Sequence, residues 1–426
     1  MSMSHRFFKI LIPAILLLSC ERYPDPATDY VKLYNFYFNN TQGTKHFAGE
    51  YVDDSIVFVS VNVLNQNSRR LNVKFEVVSG DGTVDKANVW SDKAGQASLH
   101  WKLGNGASKQ ILRASVYDSS GVYLAASELT AYGFRKGEWD AYSGNPEGNM
   151  MDLFANSSAG LTLMASSSRL YRQTDRYYEW TELSNSLLQS ARTLRADSDG
   201  IIYVSTWEGD IIKSSDNGLS WIKCTKPYPD RPYYIFNSVS NDGYIWAYYF
   251  GYPVKISKDG GISWYEAGSE VSESGIQDVF RLKNGALLFH GSNASSLFIS
   301  YDDGLSWENI PVPGYSLKLF VSEKDEILIC TQENGMTIYR AEKPGDEFVK
   351  VHNVSPEWTT GMNNTFTKRN GIYYVLIPGY GILKTSDLIH YEDFWKNSNL
   401  RDLFIDHNGV FIAKDTDFKT VYYRAD

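Results

Sequence analysis

The sequence predicts an all-β protein, a β-sandwich followed by a seven-bladed β-propeller, on three observations. Apolar and polar residues alternate from about Tyr30 to Phe134, the period of strands buried on one face. An eight-residue motif then recurs at a spacing of 43 residues. Asp-Gly and Asn-Gly pairs, which suit two-residue hairpin turns because both central residues need positive φ, fall about half a period from the motifs. Four strands in about 40 to 45 residues is the size of a propeller blade. With 43% hydrophobic and 21% charged residues the chain can build a core, and only one short segment could enter a membrane. Basic residues number 41 against 50 acidic ones and no long Lys/Arg run occurs, so nucleic acid is not an expected partner.

The first element is a leader. Residues 1–19 place Arg6 and Lys9 ahead of an apolar stretch, Ile10 to Leu18, too short for a stable spanning helix; this is the pattern of a secretory signal. The stretch closes on Leu17-Leu18-Ser19-Cys20, which resembles the lipobox of bacterial lipoproteins, whose cysteine is acylated and becomes the new first residue. The resemblance makes Cys20 the lipidation site and implies a chain anchored to a membrane it does not cross. Glu21 stands where the family's inner-membrane retention signal resembles Asp, so the expected address is the outer membrane, with the leaflet open. Residues 20–29, with Pro24 and Pro26, read as a short stiff tether. Cys224 and Cys330 lie in apolar runs, as inert thiols or as a disulfide.

Residues 30–134 form the sandwich. Its clear strands are Ile56 to Val61, Val73 to Val77, Ala97 to Trp101 and Leu112 to Val116, separated by Gly- and Asp-rich turns. The string from Val73 through Phe75, Val77, Gly80 and Gly82 to Val84, followed by Ser91-Asp92, Gly95 and Ala97, resembles bacterial immunoglobulin-like domains of the invasin and intimin kind. The resemblance implies a spacer that holds another domain away from a surface.

Residues 135–426 carry the repeat. Three octets, Ser214 to Trp221, Ser257 to Trp264 and Ser300 to Trp307, share the pattern SxDxGxxW. This resembles the Asp-box, or BNR repeat, of sialidases, sortilin-type receptors, some xyloglucanases and a photosystem assembly factor. Worn copies extend the series: Asp175 and Trp180 with Tyr177 in the glycine place, Lys343, Gly345 and Phe348, and a copy from Thr385 with Asp387. The register reaches Asp426 as a further box begins, and counting back from Trp180 lands on Trp139. A strand around Trp139 is therefore expected to complete the last blade and close a ring of seven.

In such a box Ser and Asp bond around a tight turn, Gly supplies positive φ, and Trp packs between blades. Asp216, Trp221, Asp259, Trp264, Asp302 and Trp307 are thus structural. A calcium loop would need a glutamate eleven residues after Asp216, where Pro227 stands, and the seven histidines and three cysteines lack the spacing of a zinc site. No metal or cofactor is expected. In the resembling families the boxes face away from the ligand, so function belongs on the opposite rim. Its candidates are Trp207, Glu208, Arg231, Tyr233, Tyr248, Tyr249, Tyr252, Trp358, Tyr380 and Arg401, flat amphipathic rings and charges suited to sugar faces or protein hot spots.

Sialidase-like chemistry would need a converging arginine trio and a Tyr/Glu pair, yet the Phe/Tyr-Arg-Ile-Pro string is absent and Arg169, Arg195, Arg231, Arg281, Arg340, Arg369 and Arg401 are spread among blades. No Ser/His/Asp signature or phosphate loop occurs. The expected function is a membrane-anchored envelope lipoprotein whose propeller binds a glycan or an envelope protein without catalysis. The alternatives are a glycan-cleaving hydrolase of sialidase-like type and an assembly or accessory factor for an envelope complex.

Overall fold

The computed structural model describes residues 34–40, 44–53, 55–62, 71–142, 150–156, 161–166, 169–173, 177, 179–197, 199–231, 236–240, 242–271, 275–291, 296–332, 336–354, 366–377, 379–406, 408–417 and 419–426. The leader, the tether and Cys20 lie outside the described residues, as do Tyr233 and Trp358.

Between residues 34 and 134 two main sheets share one core, with a two-stranded ribbon of Thr83–Val84 and Trp101–Lys102 beside them. The first runs Tyr34–Phe38, Ile56–Asn62, Gln96–Leu99 across its width; the second runs Thr44–Phe47, Tyr123–Phe134, Ser108–Tyr117, Asn72–Ser79, Asn88–Trp90. Alternation sorts the side chains: in Asn72–Ser79, Val73 and Phe75 are buried while Lys74 and Glu76 are exposed. Phe58 of one sheet meets Phe75 of the other edge-on at 6.2 Å, above a buried Trp101. Burial of each such ring stabilises the pair of sheets by about 2 to 3 kcal/mol.

Seven four-stranded antiparallel sheets follow, and this part of the chain is a β-propeller. Sheets 1 to 6 each take four consecutive strands. Sheet 7 takes Leu400–Ile405, Phe411–Asp415 and Val421–Arg424, and its outermost strand is Asp140–Tyr142, from far upstream, with Asp140 opposite Tyr423 and Tyr142 opposite Val421. Beside that strand Trp139 stacks on Trp395 of sheet 6 at 4.2 Å. The first strand of sheet 7 lies against the first strand of sheet 1, Met150–Asn156.

Antiparallel order fixes which turns share an end. In every sheet the turns between strands one and two and between strands three and four lie at one end, here the box end; the turn between two and three and the connection to the next sheet lie at the other, the rim end. The Asp-Gly and Asn-Gly pairs fall at the box end, but among the described residues only Asn370-Gly371 is the expected two-residue turn, with φ of +50° and +80°; Gly285, at +87°, sits in a connection of residues 282–286 in which Asn284 is not left-handed.

The first strands also carry a feature absent from the period-two pattern. A bulge interrupts five of them, between Met150 and Asp152, Ala191 and Thr193, Ile276 and Asp278, Ser316 and Lys318, and Leu400 and Asp402. Several of the residues after the bulge tie neighbouring sheets together. Asp152 of sheet 1 accepts a hydrogen bond from Leu194 N at 2.9 Å and pairs with Arg195 of sheet 2 at 3.1 Å. Asp278 of sheet 4 pairs with Lys318 of sheet 5 at 2.5 Å, and although burial alone would raise its carboxyl, Lys318 and His290 hold it down to about 2. Asp402 and Lys414, both fully buried, pair at 2.5 Å within sheet 7. There burial wins and pushes the Asp402 carboxyl up against the pull of Lys414.

The N-terminal sheets meet the propeller at its box end. Tyr132 and Phe134 pack with Tyr177, Val421 and Tyr423, Lys45 Nζ donates to Asn408 O at 3.1 Å, and Lys109 pairs with Glu179. Asn408 belongs to the first turn of sheet 7, and Tyr177 and Glu179 to the last turn of sheet 1. Cys224 and Cys330 are both free and buried, and burial raises their thiols to about 11 and about 12.

Candidate ligand-binding rim

The three intact boxes are built alike. Ser214 Oγ accepts from Gly218 N at 2.8 Å and donates to Asp216, whose carboxylate takes both the amide and the hydroxyl of Ser220. Ser257 with Asp259 and Ser263, and Ser300 with Asp302 and Ser306, repeat these contacts. Bonds from Ser220, then from Ser214, hold the Asp216 carboxyl down to about 2; the same groups in its own box hold Asp302 to about 2 and Asp259 lower still. Trp221 and Trp307 bury their rings and donate to the Gly218 and Gly304 carbonyls, whereas Trp264, half-buried, donates to Thr225 O. All of this is turn architecture, with the carboxylates occupied by the protein's own donors.

At the rim end, sheets 2 and 3 form one connected surface. The turn after Ile202–Thr206 carries Trp207 and Glu208. Trp207 N donates to Ser190 O at 3.1 Å and Ser190 Oγ donates to the Glu208 carboxylate at 2.7 Å, so the turn is fastened to the start of its own sheet's first strand. The Arg192 guanidinium lies 4.0 Å above the Trp207 ring, which stays 43% exposed. A cation over an aromatic face is worth about 0.5 to 2 kcal/mol and fixes both groups.

The segment that leaves sheet 2 carries the contacts into sheet 3. Lys226 Nζ donates to Glu208 O and pairs with Asp210, both at 3.1 Å. Two residues on, Tyr228 is buried and its hydroxyl donates to Pro253 O at 2.5 Å. Its ring packs with Tyr249 and Tyr252, 6.0 and 6.1 Å between centroids, and burial raises the Tyr228 hydroxyl far above its ordinary range. Arg231 closes the cluster, 4.5 Å above Tyr252 and 6.0 Å from Tyr249. Between those two tyrosines Phe250 projects into solvent, 86% exposed, ahead of Gly251 at φ +77°.

The rim candidates therefore divide. Trp207 and Glu208 form one group with Arg192, which sequence reasoning missed, and Arg231, Tyr249 and Tyr252 form a second, joined to the first through the segment of Lys226 and Tyr228. Tyr248 does not: it ends the strand Ile245–Tyr248, which is buried on both faces, and alternation puts it with Trp246 on the face packed against sheet 4. Tyr380 lies on the corresponding turn of sheet 6, its hydroxyl bonded to Asp393, and Arg401 is half-buried at the bulge of sheet 7's first strand; each belongs to a different part of the ring from sheets 2 and 3. Of the other scattered arginines, Arg169, Arg195, Arg281, Arg340 and Arg369 pair with Glu182, Asp152, Asp242 and Asp303, Glu326, and Asp426, which spends them on the protein's own carboxylates. A cleft of about 810 Å³ lies away from the rim, at the junction of the N-terminal sheets with sheet 7, lined in part by Ser108, Lys109, Arg135, Asp140 and Tyr142. Its cations are held by Glu179, Glu138 and Asp140.

No protein-family model matches the chain, and no curated protein matches it. Solved structures do. A streptogramin B lyase is similar at 13% identity and a TM-score of 0.51, over 67% of this chain and 97% of that one. Virginiamycin B lyase from Staphylococcus aureus follows at 15% and 0.50, over 67% and 98%. YCF48 bound to a D1 peptide gives 12% and 0.50, over 68% and 97%. At such identities the likeness is one of fold: all are β-propellers, with differing functions.

Proposed function

We propose that the chain is an envelope lipoprotein, anchored in the outer membrane through Cys20, whose propeller binds a glycan or an envelope protein without catalysis. In this reading the two N-terminal sheets are an immunoglobulin-like spacer and the seven sheets are the blades of one closed ring, sealed by the strand Asp140–Tyr142. The observation that carries it is polarity. Every contact described between spacer and propeller is made at the box end, so the aromatic rim of sheets 2 and 3 points away from the side that leads back to the anchor. A surface presented outward by a spacer suits capture of a ligand. The rim's groups suit contact: exposed rings braced by guanidiniums, and a carboxylate, Glu208, already bonded to Ser190. That YCF48, a propeller of the same fold, is bound to a peptide supports a binding role for such a surface.

The test is a screen of glycans and purified envelope proteins against the chain and its Trp207→Ala and Tyr249→Ala variants. The expected result is a ligand whose affinity falls at least tenfold in either variant while Trp207→Ala still unfolds cooperatively, its thermal midpoint lowered only by the small loss of the Arg192 contact. Equal affinity in all three proteins contradicts the choice of surface.

A further inference from the structure

We infer that the rim ligand is an acidic glycan, a polysaccharide bearing carboxylate or sulfate groups, with Arg231 as the residue that reads the anion; this rests on the binding reading given above. Arg231 differs from six arginines elsewhere in the chain. Arg113, Arg169, Arg195, Arg281, Arg340 and Arg369 each hold a carboxylate of the protein. Among the described residues none pairs with Arg231, which is held instead by the faces of Tyr252 and Tyr249. A guanidinium stacked on a ring keeps its N–H edge available, in the fork geometry that matches a carboxylate or sulfate with two hydrogen bonds.

The ring beneath is braced: Tyr249 and Tyr252 pack on each other at 5.2 Å and on Tyr228, whose hydroxyl is tied to Ala247 O and Pro253 O. The cation is therefore pre-positioned, which lowers the ordering cost of binding. Exposed rings flank it: Phe250 next to Tyr249 on sheet 3, and Trp207 on the rim turn of sheet 2. Separate flat faces spread along an arc match the apolar faces of successive sugars, while a single acid group per repeat meets the cation. The chain as a whole carries a net charge of −9, so an anionic polymer is repelled in general and attracted only where cations gather.

The experiment measures binding of the whole chain to immobilised polygalacturonate, dextran sulfate, neutral dextran and polyglutamate, with Arg231→Gln and Arg231→Lys beside the unchanged protein. The expected result is binding to one of the two acidic polysaccharides, which identifies carboxylate or sulfate, weakened by salt, reduced at least tenfold by Arg231→Gln and less by Arg231→Lys. Binding to dextran as strong as to the acidic polymers, with loss in Trp207→Ala, overturns the anion assignment and leaves a neutral-glycan rim. Polyglutamate bound as tightly as the polysaccharides overturns the glycan in favour of an acidic protein. Arg231→Gln binding like the unchanged protein, or no binding to any probe, also overturns it.

Discussion

The intact boxes of sheets 3 and 4 and the worn box of sheet 1 solve the same packing problem differently. In sheets 3 and 4 the box glycine lies against the preceding sheet: a Cβ on Gly261 would come within 2.6 Å of Cys224, and one on Gly304 within 2.6 Å of Ile256 and 3.3 Å of Trp246. There glycine is required twice, for positive φ and for want of space. In sheet 1 the neighbour is sheet 7, and the N-terminal sheets arrive at the same place. Tyr177 fills the glycine position, 2% exposed, against Tyr132, Phe134 and Tyr423, with its hydroxyl bonded to Asp406 and accepting from Asn408. In these sheets a box is thus a staple onto the preceding sheet, and it departs from the consensus where it also packs against the N-terminal sheets.

Three substitution tests can break this comparison. Tyr177→Ala removes a ring shared by three parts of the molecule and is expected to cost about 3 to 5 kcal/mol in denaturant unfolding, by the scale of large-to-small core changes. A loss below about 1 kcal/mol, under the lower end of that scale, would show that the junction with the N-terminal sheets is loose. Gly304→Ala combines left-handed strain with overpacking and should cost about 2 to 4 kcal/mol. Gly345→Ala, at the same φ of +89° but with open space where the Cβ would lie, should cost only the strain, about 1 to 2 kcal/mol. Equal costs at the two glycines would remove the steric half of the explanation.

The smallest effect is in pH. The Asp216 and Asp302 carboxyls are depressed to about 2 in the folded chain, against about 3.9 unfolded. Their contribution to stability is therefore present above pH ~4 and lost as pH falls from ~4 through ~2. Calorimetry should show the unfolding temperature of the Asp216→Asn, Asp302→Asn double variant falling less across this window than that of the unchanged chain. The groups are exposed, so the difference is small.

Much of this was legible because the motif is geometric. SxDxGxxW prescribes two successive left-handed residues and a set of bonds, so its spacing announced the sheets, and Trp139 announced the strand borrowed by sheet 7. Side-chain direction was less legible. Tyr248 and Tyr249 are adjacent rings in one string, and only the end of the strand decides that one enters the core and the other the rim. Arg192 and the tied charges Asp152, Asp278 and Asp402 escaped notice because bulges shift the register just before them, which period-two reading does not register. The two thiols could not be assigned from sequence because pairing depends on distance alone, and the fold leaves both free.

The most direct test sets the two ends of the propeller against each other. Affinity for the tightest polysaccharide found should be measured for Trp207→Ala at the rim and for Ile262→Ser, a 69% exposed box-tip residue of sheet 3, in the same titration. A tenfold or greater loss in Trp207→Ala with Ile262→Ser unchanged is the predicted result. Loss in Ile262→Ser with Trp207→Ala unchanged would place recognition at the box end and contradict the account.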